Sequence, residues 1–82
     1  MKPKKIKQID DKFVKMLVER VRQLRNEHNY TQEYVIEHTH LDISRYEMGD
    51  SVPTLPSILK LCKFYKITLD EFFAPLNYPP KE

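Results

Sequence analysis

The 82-residue chain contains one glycine, one cysteine and no tryptophan. A single glycine excludes the glycine-rich loops with which many enzymes cradle phosphate groups. The lone Cys62 cannot form an internal disulfide, and its apolar helical surroundings predict a buried thiol. No apolar run approaches the roughly 20 residues that span a membrane, and no apolar segment typical of a secretion signal follows the first lysines. We therefore expect a single cytoplasmic domain.

Metal-binding residues are equally scarce. The chain has three histidines, and only His38 and His40 lie close together. These two residues flank the predicted end of a helix, and with Cys62 they lack a fourth ligand at zinc spacing. We predict no metal, no cofactor, no catalytic residue and no enzymatic activity.

Positive charge is concentrated at the start of the chain. Residues 1–25 carry nine Lys or Arg and three Asp or Glu, which is +6, whereas residues 26–82 carry five and nine, which is −4. The segment 1–9 is basic and interrupted by Pro3, so it predicts a flexible arm. Lys4 and Lys5 in this arm are candidate contacts to DNA phosphates. A solvated tail without a partner is the alternative interpretation.

Five helical segments with short connections predict an all-α fold. The first begins after Asp10 or Asp11 and ends at Glu27 or His28. The others are predicted at 32–38, at 43–48, after a cap at Thr54, and after a capping box formed by Thr68 and Glu71. We expect a compact five-helix bundle, with the flexible arm at 1–9, the helical domain at 10–74 and a C-terminal tail at 75–82.

The first predicted helix is apolar on more than one side. One stripe, at spacings of three and four, consists of Phe13, Leu17, Val21, Leu24 and His28. A second apolar group lies largely off this stripe: Phe13, Val14, Met16 and Val18. A helix that is apolar on several sides buries more than one of them, against its own domain or against a second copy. The second group is therefore a candidate surface for a homodimer, and in a protein-interaction module it would be the contact patch for a partner.

Two predictions concern later helices. Asp42 is positioned to cap the third helix, which Gly49 ends because glycine adopts positive φ without strain. The fourth helix is predicted to face the core with Leu55, Ile58, Leu59 and Cys62, and this face is widened by Leu61 and Tyr65.

Two features around the second and third helices suggest a ligand and a structural ion pair. Thr31 and Gln32 begin a helix whose free N–H groups form a natural phosphate site, although a capped surface helix without a ligand is the alternative. Arg25 and Glu47 follow the apolar positions 24 and 46, and two partly buried charges are tolerable only if they pair. The alternative is two independent surface charges.

The ordered motifs resemble the Xre-type helix-turn-helix family of phage repressors and Cro proteins. They are VRQLR at 21–25, YTQE at 30–33, ISRYEMG at 43–49, Pro53-Thr54, LKLC at 59–62 and ITLDEF at 67–72. The resemblance implies a lambda repressor-like bundle with its helix-turn-helix at about 31–48. It also implies binding to double-stranded DNA, usually as a two-fold dimer, with the third helix in the major groove.

The resemblance assigns roles to individual residues. Gln32 is similar to a phosphate contact, Arg25 and Glu47 to a buried ion pair, and Arg45 to a position that faces DNA. The loop 49–54 matches a phosphate-binding loop. Ser51 and Thr54 are its candidate contacts.

The chain departs from the family pattern between its second and third helices. From Gln32 to Glu47 it is about three residues shorter, which indicates a subtype with a shortened recognition helix. Arg45 is then the strongest candidate for reading a guanine, and Ser44 and His40 are weaker ones. His40 and Lys66 replace glycines of the family, so both are expected to adopt a left-handed or adjusted backbone.

The acidic balance of residues 26–82 favours an alternative. A protein-interaction or antitoxin-like module that retains the fold, with weak or no DNA binding, is also consistent with the sequence.

Overall fold

The computed structural model describes residues 10–81, where the backbone forms helices, turns and loops. Its helices are α1 (Asp11–Glu27), α2 (Gln32–Thr39), α3 (Ile43–Met48), α4 (Leu55–Tyr65) and α5 (Leu69–Phe73), followed by a 3-10 turn at Ala74–Leu76. The predicted all-α five-helix fold is confirmed for this range. None of these helices is long and apolar enough to cross a membrane. Lys4, Lys5 and the rest of the predicted arm lie outside the described residues.

Threonine side chains cap three helices. Thr31, Thr54 and Thr68 each accept a hydrogen bond from the backbone N–H three residues further on. The carboxylate of Glu71 also accepts the N–H of Thr68, which completes the predicted capping box. These polar side chains define where α2, α4 and α5 begin, because they satisfy N–H groups that a helix leaves free.

Asp42 does not cap α3, so that prediction is wrong. Its side chain makes no capping hydrogen bond, and its backbone angles are φ −80° and ψ 63°. The N–H of Ile43 bonds to the carbonyl of Leu41 at 2.9 Å, which closes a tight three-residue turn around Asp42. The extended backbone that directs a capping carboxylate toward the helix is therefore absent.

Left-handed residues end three of the helices. His40 ends α2 with φ 60°, Gly49 ends α3 with φ 82° and Lys66 ends α4 with φ 60°, as expected for the two residues that replace glycine. α2 extends through Thr39, which the sequence pattern assigns to the turn. Thr39 is buried, and its hydroxyl donates to the carbonyl of Val35 at 2.7 Å.

The core lies between α1 and the other helices. Its buried apolar residues are Leu17, Val21, Leu24, Val35, Ile43, Tyr46, Ile58, Leu61, Cys62, Tyr65, Phe72 and Leu76. The predicted inner face of α4 is only partly correct. Ile58 and Cys62 are buried, but Leu55 and Leu59 are 60% and 41% exposed. Leu61 and Tyr65, which the prediction placed at the edge of this face, are buried, so α4 is rotated about its axis toward them.

The predicted dimer surface is partly occupied within the chain. Phe13, Val14, Met16 and Val18 are all half-buried, and Phe13 and Met16 pack against the core. Its role in dimerisation stays a prediction.

A buried arginine fastens α5 to α1. The side chain of Arg20 donates to the carbonyls of Phe72 and Glu71 at 2.6 and 2.9 Å, and to the Gln23 side chain at 2.8 Å. Carbonyls near the end of a helix lack internal partners, so this guanidinium satisfies α5 where its own backbone cannot. Sequence reasoning did not single out Arg20.

Tyr78 connects the end of the described chain to the start of α1. Its hydroxyl donates to Oδ2 of Asp10 at 2.6 Å, while Oδ1 of Asp10 accepts the N–H groups of Lys12 and Phe13. The Tyr78 ring stacks on Phe13 with a centroid distance of 6.1 Å. The hydrogen bond from Tyr78, followed by that from the Phe13 backbone, holds the pKa of Asp10 below its ordinary value.

Tyr78→Phe is expected to lower the melting temperature modestly at neutral pH. Because the pKa of Asp10 is lowered in the folded state, this contact stabilises above the unfolded pKa of Asp10 and is lost as the pH falls through the folded value. The difference between parent and variant should therefore shrink in acid. Tyr34→Phe is the control, since the Tyr34 hydroxyl bonds to no described residue. Equal effects of both substitutions at neutral pH would show that the Tyr78 contact does not stabilise the fold.

Candidate nucleic-acid interface

A buried ion pair joins α1 to α3. Arg25 donates from Nε to Oε2 of Glu47 at 2.7 Å and from Nη2 to Oε1 at 2.8 Å. Its Nη1 donates to the carbonyl of Tyr30 at 3.0 Å. The side chains of Arg25 and Glu47 are 16% and 3% exposed. The predicted pair therefore forms with two parallel hydrogen bonds, a geometry that fixes orientation as well as distance.

Gln32 extends this ion pair to the start of α2. Its side-chain amide donates to Oε1 of Glu47 at 3.0 Å. Gln32 is half-buried, and the neighbouring cap Thr31 is exposed. The carboxylate of Glu47 on α3 thus binds both α1, through Arg25, and α2, through Gln32. A phosphate contact by Gln32 would use the remaining donor and acceptor of its amide, and this role stays a prediction.

Arg22 is a second arginine on Glu47, which sequence reasoning missed. Its Nη2 donates to the Glu47 backbone carbonyl at 2.9 Å, and its Nε lies 3.7 Å from the carboxylate. This carbonyl lies in the last turn of α3, where carbonyl groups lack an N–H partner within the helix. The available signal was the three-residue spacing of Arg22 and Arg25, which puts both side chains on neighbouring positions of one helix face.

The pKa values follow from this network. Burial raises the pKa of Glu47, but the hydrogen bonds from Arg25 and Gln32 outweigh burial, and the pKa is lower than its ordinary value. The hydrogen bond to Glu47 raises the pKa of Arg25. Both groups are therefore charged at neutral pH, and the pair persists across the physiological range.

The outer face of α3 carries the predicted base-reading residues. Ile43, Tyr46 and Glu47 point inward and are buried, whereas Arg45 is exposed and Ser44 is half-buried. The side chain of Arg45 makes no hydrogen bond or ion pair with any described residue, so its guanidinium is available to a ligand. His40, in the turn before α3, is also exposed.

The loop 49–54 leads from α3 to α4. Ser51 is half-buried and Thr54 is exposed. The Thr54 hydroxyl accepts the N–H of Ser57 and lies 3.0 Å from the Ser57 hydroxyl. Contacts of Ser51 and Thr54 with phosphate stay predictions.

The described part of the chain is not basic as a whole. Residues 10–81 contain ten Lys or Arg and eleven Asp or Glu, a net charge of −1, whereas residues 1–9 contain four lysines. Exposed acids include Glu33 and Glu37 on α2 and Asp42 before α3. Electrostatic attraction to a phosphate backbone must therefore come from local groups such as Arg45 and from the N-terminal lysines.

No group of three or more metal-binding side chains occurs in residues 10–81. α2 and α3, which are joined by a short turn and linked by the Gln32–Glu47 hydrogen bond, form a helix-turn-helix. A family model described as helix-turn-helix matches residues 21–72, which is more than half of the chain. The chain belongs to this helix-turn-helix family, and its predicted Xre-type resemblance is confirmed.

The match to one curated relative extends this comparison. The chain is 34% identical over 59 residues to the HTH-type transcriptional activator BcrR of Enterococcus faecalis. The match covers 68% of this chain but 29% of the relative, so the chain spans less than a third of that protein. No solved structure matches this chain closely.

Proposed function

We propose that this chain is a sequence-specific DNA-binding transcriptional regulator of the repressor and Cro type. The observation that carries the proposal is the free, exposed Arg45 on a helix whose orientation is fixed by the Arg25–Glu47 ion pair. A bidentate arginine is the commonest reader of guanine in the major groove. Family membership and the likeness to an activator support the same function. No catalytic residue or cofactor forms part of the proposal.

Double-stranded DNA is the proposed partner, in the cytoplasm, and a homodimer is the proposed binding species. α3 has six residues, and one short helix reads too few base pairs for useful selectivity. Two copies related by a two-fold axis would read two half-sites about one helical turn apart. Phe13, Val14, Met16 and Val18 are the proposed dimer surface.

Selection from a pool of random duplexes, at low and at near-physiological salt, tests this proposal. We expect an enriched, roughly palindromic sequence whose binding weakens steeply with salt. Enrichment of no sequence at low salt would overturn specific DNA binding. Such a result would favour the alternative, a protein-interaction or antitoxin-like module. The net charge of −1 over residues 10–81 is consistent with that alternative, because nonspecific DNA-binding proteins are usually basic.

Deleting residues 1–8 is expected to lower the affinity for all duplexes alike. The segment carries four lysines, including Lys4 and Lys5. Neutralising four phosphates would contribute about −3.6 to the slope of log affinity against log salt, so the deletion should flatten the slope by up to that amount. Filter binding across a salt series measures it. A variant with glutamine at these four lysines separates charge from length, and an unchanged slope in both variants would rule out the lysines as phosphate contacts.

A further inference from the structure

Two leucines on α4 lie on the flank of the helix beside its buried face. α4 buries Ile58, Leu61, Cys62 and Tyr65, whereas Leu55 and Leu59, one helical turn apart, are 60% and 41% exposed. Two large aliphatic side chains at this spacing would ordinarily be buried against a neighbouring element. In residues 10–81 both side chains are only partly covered.

Leu59 forms part of a groove between α4 and the turn that joins α2 to α3. The groove has a volume of about 390 Å³, and its lining consists of Leu41, Pro56, Ser57, Leu59, Lys60 and Lys63. We name these six residues the α4 groove. Its floor is mainly aliphatic, and its charged residues are both lysines. Neither lysine has an ion-pair partner among the described residues, and no acidic side chain lines the groove.

We propose that the α4 groove is a docking site for an acidic amphipathic helix of a partner protein. Helices commonly dock in grooves through apolar residues spaced three and four apart. Leu41 and Leu59 in the groove would contact such apolar residues of the partner. Lys60 and Lys63 would form ion pairs with Asp or Glu next to those residues. The complementary charge selects the partner and accelerates its approach.

Charge distinguishes this occupant from the alternatives. At a two-fold axis the groove would face a copy of itself, bringing four ammonium groups together without any acid between them. Duplex DNA would use the lysines but would leave Leu55 and Leu59 in water. A larger groove of about 990 Å³ along α1 is lined by charges of both signs, so it selects no such partner.

A library of random peptides, roughly four helical turns long, tests the proposal against the full chain. We expect enriched peptides to combine apolar residues at helical spacing with several acids. Titration of the enriched peptide into isotopically labelled protein should move the amide resonances of Leu41, Leu59, Lys60 and Lys63 and leave Arg45 unmoved. Enrichment of peptides without acids, or shifts confined to another surface, would overturn it.

Two variants sharpen this test. The double variant K60E/K63E should lose binding of the acidic peptide and gain binding of the same peptide with lysine at its acidic positions. K15E/K81E changes the net charge equally at exposed sites outside the groove and should bind as the parent does. Leu59→Ser should weaken binding by about tenfold or more, since a leucine buried on docking is lost. Melting curves confirm that each variant is folded.

Further outcomes assign the groove to another occupant. If diluting the chain alone moves the same resonances, a second copy fills the groove and the proposal fails. The proposal fails equally if duplex DNA moves them and K60E/K63E prevents that shift. DNA binding through Arg45 that persists in K60E/K63E, while the acidic peptide is lost, would establish the groove as a separate site. The test of peptide docking in the α4 groove therefore does not depend on whether the duplex selection yields a DNA site.

Discussion

Glu47→Gln is expected to destabilise the fold by about 3 kcal/mol, because it leaves the guanidinium of Arg25 largely buried beside a neutral amide. Removing one partner of a buried pair costs roughly 3–5 kcal/mol, and the residual exposure of Arg25 favours the lower end. A domain of this size has a total stability of only about 4–12 kcal/mol. Urea unfolding measures the change, which corresponds to a loss of at least about 10 °C in melting temperature.

Glu37→Gln is the matched control for this prediction. Glu37 is an exposed carboxylate on α2, so the same chemical change there should alter stability by no more than about 0.5 kcal/mol. Replacing both partners, as Arg25→Met with Glu47→Leu, should recover most of the lost stability because no unpaired charge remains. Equal midpoints for Glu47→Gln and Glu37→Gln would show that the ion pair does not hold α3.

The same ion pair makes stability depend on pH. The pKa of Glu47 is lowered in the folded state from its ordinary value of 4.5. Its contribution is therefore complete above that value and disappears as the pH falls through the folded pKa. The stability difference between the parent and Glu47→Gln should accordingly narrow in acid.

Local patterns in the sequence predicted much of this fold. Thr31, Thr54 and Thr68 identified helix starts, because a capping hydroxyl and its N–H target are three residues apart. The Arg25–Glu47 pair was predictable from a different argument, since charges next to core positions require partners. Both inferences depend on short-range geometry or on one simple electrostatic constraint, and neither needs the tertiary arrangement.

The features that the sequence did not predict depend mainly on contacts between segments that are distant in the chain. Arg20 reaches carbonyls 51 and 52 residues further along the chain, and nothing near it in sequence indicates those acceptors. Leu55 and Leu59 have the spacing of core residues, but the rotation of α4 about its axis is decided by the helices against which it packs. Asp42 has the right residue type for a cap, but it lies at the centre of a tight turn that changes its backbone. The DNA contacts of Ser44, Arg45 and His40 depend on a ligand and stay predictions.

Arg45→Ala is expected to reduce discrimination between the selected DNA site and random duplexes by about 1–3 kcal/mol, or roughly 5- to 150-fold. The exposed guanidinium is the one side chain on α3 that can donate two parallel hydrogen bonds to a guanine. Its removal should leave folding stability unchanged within about 0.5 kcal/mol, because the guanidinium makes no hydrogen bond or ion pair with any described residue. Competition binding with the selected site and a scrambled duplex measures the ratio of affinities.

Two further substitutions separate base reading from charge and from helix shape. Arg45→Lys keeps the charge but loses the planar fork, so it should retain affinity for random duplexes while losing most of the discrimination. Met48→Ala changes another exposed residue of α3, 67% exposed, that has no strong donor, and it should behave as the parent. If Arg45→Ala discriminates as well as Met48→Ala, then α3 does not read bases through Arg45. Specificity in this shortened helix would then have to come from the shape of the DNA, which an α3 held rigidly by Glu47 can still sense through phosphate contacts alone.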